Sequence, residues 1–98
     1  MKSGDDDTLN QKLKKYFELT EKALKKAKIK VDMDEKSKKS AEGLLDMAQR
    51  YYQDARFFEK KGDIINAYGA VVCAHAFLDA GAMIGLFDVS DNRLFMID

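Results

Sequence analysis

The stretch FFEKKGDIINAY, residues Phe57–Tyr68, contains the clearest turn signal in this chain of 98 residues. Lys60 and Lys61 suit the negative end of a helix dipole. Gly62 can take the left-handed conformation that closes a helix, and Asp63 can cap the helix that follows. The sequence therefore predicts two antiparallel helices joined by a tight turn at Gly62.

Composition on both sides of this turn is typical of helices. Proline is absent, β-branched residues are sparse, and Lys, Glu, Ala, Leu and Met fill the segments. We therefore predict a single all-α domain over residues 1–98, an antiparallel three-helix bundle with a short C-terminal tail. The periodicity places the helices at about residues 8–30, 35–61 and 63–85 and the tail at about 86–98.

The first predicted helix has a start signal and a regular apolar seam. The tetrapeptide Thr8-Leu9-Asn10-Gln11 fits a capping box, and Asp5–Asp7 place negative charge at the positive end of the helix dipole. Apolar positions then step by four and three, which is typical of a helix that packs along a partner. The seam comprises Leu13, Phe17, Thr20, Leu24, Ala27 and Val31.

The third predicted helix has no polar face. A helix that is apolar all round is buried on more than one side, and two neighbouring helices cover only part of it. We expect the remainder to be covered by the tail, Leu94–Ile97, or by a second copy of the protein. A membrane-spanning role is disfavoured because His75 and Asp79 lie near the middle of the helix and Asp63 lies at its start.

Charge balances over the whole chain, with 17 basic and 17 acidic residues, so no global field attracts nucleic acid or membranes. The two ends nevertheless differ. Residues 12–30 carry eight lysines against two glutamates, whereas residues 63–98 carry five aspartates against one arginine. The N-terminal residues MKSGDDD lack the apolar core of a signal peptide, so we expect a cytoplasmic protein.

A pattern of aromatic, small and acidic residues runs from Ala48 to Val89. It comprises Tyr51, Tyr52, Asp54, Ala55, Phe58, Lys61-Gly62-Asp63, Ala67, Ala74-His75, Leu78-Asp79-Ala80-Gly81 and Gly85-Leu86-Phe87. In these residues the chain resembles an archaeal family catalogued as domain of unknown function 357. The resemblance implies a three-helix bundle similar to immunoglobulin- and albumin-binding domains, and it implies no activity. The chain departs from the family at Cys73-Ala74-His75-Ala76, where a run such as Tyr-Ala-His-Gly is more usual.

His75, the only histidine, and Asp79 lie one helical turn apart on the third helix. In an antiparallel hairpin, Tyr51 and Tyr52 on the second helix come within about one turn of this pair. We predict a polar cluster of Tyr51, Tyr52, Asp54, His75 and Asp79. Within it, His75, Asp79, a tyrosine hydroxyl and Arg50 satisfy one another's hydrogen bonds and set the helix register, and Asp54 forms a salt bridge to Arg50 or to a lysine of the first helix. The alternative is a metal or acid-base site at His75, Asp79 and Asp54.

No cofactor is predicted. Zinc needs three or four protein ligands, and this chain has one histidine and one cysteine. Cys73 lies about 160° round the helix from His75, which disfavours nucleophilic catalysis, and we expect it to act as a small apolar filler. The lysines of the first helix offer an alternative function in nucleic-acid binding, but they lie on several sides of the helix.

The remaining feature of the sequence is a set of large apolar residues outside the predicted core. Phe57 projects opposite the core stripe of the second helix, and Phe77, Ile84 and Phe87 are expected on the outer face of the third. Contiguous patches of this kind mark partner or subunit contacts, so we predict a homodimer built mainly on helices two and three. The sequence therefore favours a protein-interaction or self-association module without catalytic activity.

Overall fold

The computed structural model describes residues 4–89 and confirms an all-α three-helix bundle. The helices are α1 (Gly4–Lys26), α2 (Glu35–Lys60) and α3 (Ile64–Met83). Within residues 4–89 the chain forms no strand, and its one β-type contact is an isolated antiparallel bridge between Ile29 and Phe87.

The turn between α2 and α3 has the predicted chemistry. Gly62 takes a left-handed φ of 77° and donates its N–H to the Glu59 carbonyl at 3.0 Å. The Asp63 N–H bonds the Phe58 carbonyl at 2.9 Å, which completes a Schellman motif. The Asp63 carboxylate in turn accepts the Asn66 backbone N–H at 3.2 Å and caps α3. This local geometry fixes α2 and α3 as an antiparallel pair.

Helix α3 is the central element of the bundle. It packs extensively against α2 and less against α1, whereas the backbones of α1 and α2 lie further apart and these two helices meet mainly through side chains. On α2 the contact runs along fully buried alanines at a spacing of seven, Ala41, Ala48 and Ala55. Their small side chains let the two backbones approach closely. The position of α3 between two neighbours therefore accounts for the apolar residues on the sides that face α1 and α2.

Helix α1 differs from its predicted bounds at both ends. It begins at Gly4, so Thr8 lies inside the helix and the predicted capping box is wrong. At the other end α1 stops at Lys26, and the chain continues in irregular structure to α2. Val31, assigned to the apolar seam, is consequently 85% exposed.

The segment after α3 folds back onto the bundle. Gly85 has a φ of 78°, and the Leu86 N–H bonds the Gly81 carbonyl at 2.9 Å, so α3 also ends in a Schellman motif. The Lys30 N–H then bonds the Leu86 carbonyl at 3.1 Å. These bonds tie residues 86–88 to the connection between α1 and α2.

Phe87 is a core residue, and its prediction as an interface residue is wrong. The fold-back segment turns its ring inward, where it is 2% exposed and packs against Gly81. The ring joins the cluster around Leu78 and Ala82. The part of the tail that was expected to cover α3, Leu94–Ile97, lies outside the described residues.

Candidate functional site

His75 lies on the side of α3 that faces α1. Its Nδ1 is 3.1 Å from the hydroxyl of Thr20, a fully buried residue of α1. Its Nε2 is 3.6 Å from Oδ1 of Asp79, one turn further along α3. The imidazole therefore connects the two helices through Thr20 and contacts a carboxylate on its other edge.

The hydrogen-bonding groups around the imidazole are complementary. In the tautomer protonated at Nε2, the Thr20 hydroxyl donates to Nδ1 and the Nε2–H is directed at the Asp79 carboxylate. A buried hydroxyl needs such a partner, because an unsatisfied one is costly in an apolar interior. Thr20 was predicted only as a member of the apolar seam, so its polar partner is new information from the structure.

A groove opens between α1 and α3 beside this pair. Its volume is about 410 Å³. It is lined by Lys12, Lys15, Tyr16, Leu19, Tyr68, His75 and Asp79. The histidine and the aspartate are mostly buried, and the two lysines are exposed. The groove therefore combines a polar interior with a positively charged rim.

Two tyrosines form aromatic walls of this groove. The rings of Tyr16 and Tyr68 meet edge to face, with their centroids 5.6 Å apart. The Tyr16 ring also lies edge-on to the His75 ring at 6.4 Å. Edge-to-face contacts of this kind fix the ring orientations. The groove thus has a defined shape, built by side chains from α1 and α3.

The chemistry available in the groove is limited. Histidine and carboxylate together can exchange protons, but the hydroxyl nearest the imidazole belongs to Thr20, which solvent does not reach. Among residues 4–89, no three His, Cys, Asp or Glu side chains lie close enough together to hold a metal ion. The groove therefore presents a histidine–aspartate pair beside two lysines and two tyrosines.

Tyr52 belongs to a second cluster, on the α1 side of α2. Its hydroxyl donates to Glu21 at 2.9 Å and accepts from Nη2 of Arg56 at 2.9 Å. The Arg56 guanidinium also lies 4.2 Å from the centroid of the Phe17 ring. The hydrogen bond from Tyr52, followed by the charge of Lys25, lowers the pKa of Glu21. Burial and the bond to Glu21 raise the pKa of Tyr52.

The members predicted for one polar cluster therefore occupy different places. His75 and Asp79 lie together in the groove, while Tyr52 hydrogen-bonds in the second cluster. Tyr51 packs its ring on Phe77 with the centroids 5.5 Å apart. Asp54 is exposed on α2. The two partners that sequence reasoning missed are Thr20 for the histidine and Arg56 for Tyr52.

The predicted interface residues also differ from one another in exposure. Phe57 and Ile84 are exposed, as expected for a contact surface, whereas Phe77 is half-buried against Tyr51. Cys73 is exposed, so its predicted role as an apolar filler is wrong. It lies on the side of α3 that neither neighbouring helix covers. The sequence showed that α3 lacks a polar face but not which of its sides is buried.

Comparison with known proteins identifies a family. No curated protein and no solved structure gives a significant match to the chain. The profile of the family described as "Protein of unknown function (DUF357)" matches residues 15–87. The matched segment contains six of the seven groove residues and all of the α2–α3 hairpin. Because this match covers well over half of the sequence, the chain belongs to the DUF357 family.

Proposed function

We propose that this protein is a non-catalytic binding module that associates with a second copy of itself through the outer face of α3. The outer face is defined as Ile65, Gly69, Cys73, Ala76 and Met83. The observation that carries the proposal is that these five apolar or small residues, spread from the first to the last turn of α3, are all exposed.

The two ends of the outer face lie on one line of the helix. At 100° per residue, Ile65 and Met83 share the same angular position. Their side chains are 77% and 59% exposed. Between them stand small residues that let another helix approach closely. Large apolar side chains at each end and small ones between them are typical of a helix contact surface.

A second copy fits this face because the face carries no charge. In a two-fold dimer the same patch meets itself, so a charged residue near the axis would oppose its own copy. The one charged residue of α3, Asp79, lies on the side that faces the groove. The 20 residues of α3 span about 30 Å. Exposed Ile84 follows Met83 at the C-terminal end of this strip.

A lipid bilayer is a weaker occupant of the same face. Within the described residues α3 is long and apolar enough to cross a membrane, with a mean hydropathy of 1.3. Mostly buried core helices of globular proteins satisfy the same criterion, and 28% of the apolar window of α3 is buried. The buried alanines of α2 pack along α3, and the Asp79 carboxylate lies in a polar groove. Both features favour a packed bundle helix over a lipid-facing span.

Sedimentation equilibrium tests the proposal. We expect the wild-type protein to form a dimer and the variant Ile65→Lys/Met83→Lys to be monomeric, since both side chains are exposed and the core is unchanged. Val31→Lys is the matched control, because Val31 is 85% exposed and lies outside the helices. A wild-type protein that stays monomeric at high concentration would refute the proposal. This holds whether residues 90–98 or solvent cover the outer face of α3.

A further inference from the structure

We infer that the groove between α1 and α3 is a binding site for a small aromatic phosphate of the nucleoside monophosphate class. The groove lies on the α1-facing side of α3, and the outer face of α3 takes no part in it. The inference therefore goes beyond self-association, and the failure of either proposal leaves the other intact.

The rim of the groove provides the anion-binding groups. Lys12 and Lys15 are three residues apart on α1 and line the same side of the groove. Residues at this spacing share one face of a helix. Two ammonium groups can each donate to a phosphate oxygen, and charge-assisted hydrogen bonds of this type are the strong ones. A phosphate at the rim would neutralise a pair of like charges that are exposed in the free protein.

The walls provide a surface for an aromatic ring. Tyr16 and Tyr68 line the groove with rings held edge to face at 5.6 Å, and Leu19 adds an apolar contact. Aromatic side chains bind nucleobases by stacking, because every base presents a π-face. The contacts among Tyr16, Tyr68 and His75 keep these walls in place before a ligand arrives. Preorganised walls reduce the cost of ordering on binding.

The interior provides a hydrogen-bond acceptor. The Asp79 carboxylate lines the groove beside His75. Acidic side chains accept hydrogen bonds from the exocyclic amino groups of bases. A nucleoside monophosphate with an amino group therefore matches the acceptor inside and the lysines at the rim. The volume of about 410 Å³ lies within the usual range for small-molecule sites.

The single histidine makes the test specific. With one histidine in the chain, the ring resonances of His75 report on this groove alone. We would titrate the full-length protein with adenosine 5′-monophosphate and follow the His75 and tyrosine ring signals by NMR. A saturable shift with a Kd of about 1 mM or tighter is expected, which is the affinity of a simple small-molecule site.

Two controls separate the groove from general charge attraction. Lys12→Ala/Lys15→Ala should weaken binding at least about tenfold, since it removes two charge-assisted contacts. Lys14→Ala/Lys22→Ala removes the same charge from exposed positions of α1 outside the groove and should bind as the wild type does. Equal weakening in the two variants, or no saturable shift of the His75 signals, would overturn the inference.

Inorganic phosphate and adenosine complete the test. We expect each to bind more weakly than the monophosphate, because each engages only the rim or only the walls. Phosphate binding as tightly as the nucleotide would overturn the role of Tyr16 and Tyr68 as walls for a base. Adenosine binding as tightly would overturn the role of the two lysines.

Discussion

Replacing Gly81 with alanine is expected to destabilise the protein, although alanine is the better helix former. A Cβ built at position 81 would lie 2.6 Å from Cζ and 2.7 Å from Cδ2 of the Phe87 ring. Real Cβ atoms essentially never approach other atoms so closely. The ring cannot move outward without exposing itself, because it is 2% exposed in the native fold.

The magnitude follows from two opposing effects. Alanine is favoured over glycine inside a helix by about 1 kcal/mol. Overpacking a core costs about 1–3 kcal/mol, and expelling a buried phenylalanine ring costs about 1.5–3 kcal/mol. Subtracting the gain in helix propensity from the cost of displacing the ring, we expect Gly81→Ala to lower the free energy of unfolding by about 0.5–2 kcal/mol. In a chain of this size that corresponds to a fall in Tm of roughly 2–16 °C.

Gly43→Ala is the matched control for this substitution. Gly43 lies inside α2, and a Cβ there meets nothing within 4 Å. The control should raise stability by up to about 1 kcal/mol, so the two variants should move in opposite directions. Urea unfolding followed by circular dichroism measures both.

A double-mutant cycle attributes the loss at Gly81 to the ring of Phe87. Phe87→Leu removes the aromatic ring, so the cost of Gly81→Ala should shrink by more than about 0.5 kcal/mol in that background. A Gly81→Ala variant as stable as Gly43→Ala, or a cycle without coupling, would refute the packing of Phe87 on α3.

Three further predictions concern the polar contacts and the helix cap. Thr20→Val should lower the free energy of unfolding by about 1–2 kcal/mol in urea titrations, because it removes the buried hydroxyl that contacts His75 Nδ1. Thr20→Ser keeps a hydroxyl and should retain most of the stability. A Thr20→Ser variant less stable than Thr20→Val would contradict the contact. The fold holds the pKa of Glu21 below its ordinary value of 4.5, so the ionised carboxylate stabilises the protein above pH 4.5. This stabilisation is lost as the pH falls through the lowered pKa. Tyr52→Phe removes the main cause of that shift, so its stability should fall less on acidification than that of the wild type, and parallel pH profiles would exclude this role. Asp63→Ala should lower Tm through the loss of about 1 kcal/mol of capping, while Asp63→Asn should lose much less; equal melting temperatures for the wild type and Asp63→Ala would argue against the cap.

The parts of the fold that were predicted well are those decided by local interactions. The α2–α3 turn depends on the conformational freedom of Gly62 and on the reach of the Asp63 carboxylate, and both act within a few residues. Ala41, Ala48 and Ala55 likewise share the buried face of α2 because seven residues make close to two helical turns. Such signals are legible in a sequence because the residues that interact are neighbours along it.

The partners of His75 could not be predicted in the same way. The tight turn at Gly62 sets which α2 residues lie opposite each residue of α3, so the sequence predicted Tyr51 and Tyr52 as the partners of His75. No comparable turn sets the register of α1, because residues 27–34 are an irregular connection that includes the bridge from Ile29. The contact with Thr20 depends on that register.

The sequence by itself determined that this protein is a bundle of three helices with an antiparallel hairpin at its centre. Helix periodicity, capping residues and the absence of proline act locally, and they suffice for that result. Only the tertiary structure decided which side of α3 faces α1, that Phe87 fills the space above Gly81, and that the histidine opens onto a groove. The physical reason is that a helix apolar on every side carries no periodic signal to choose its buried face.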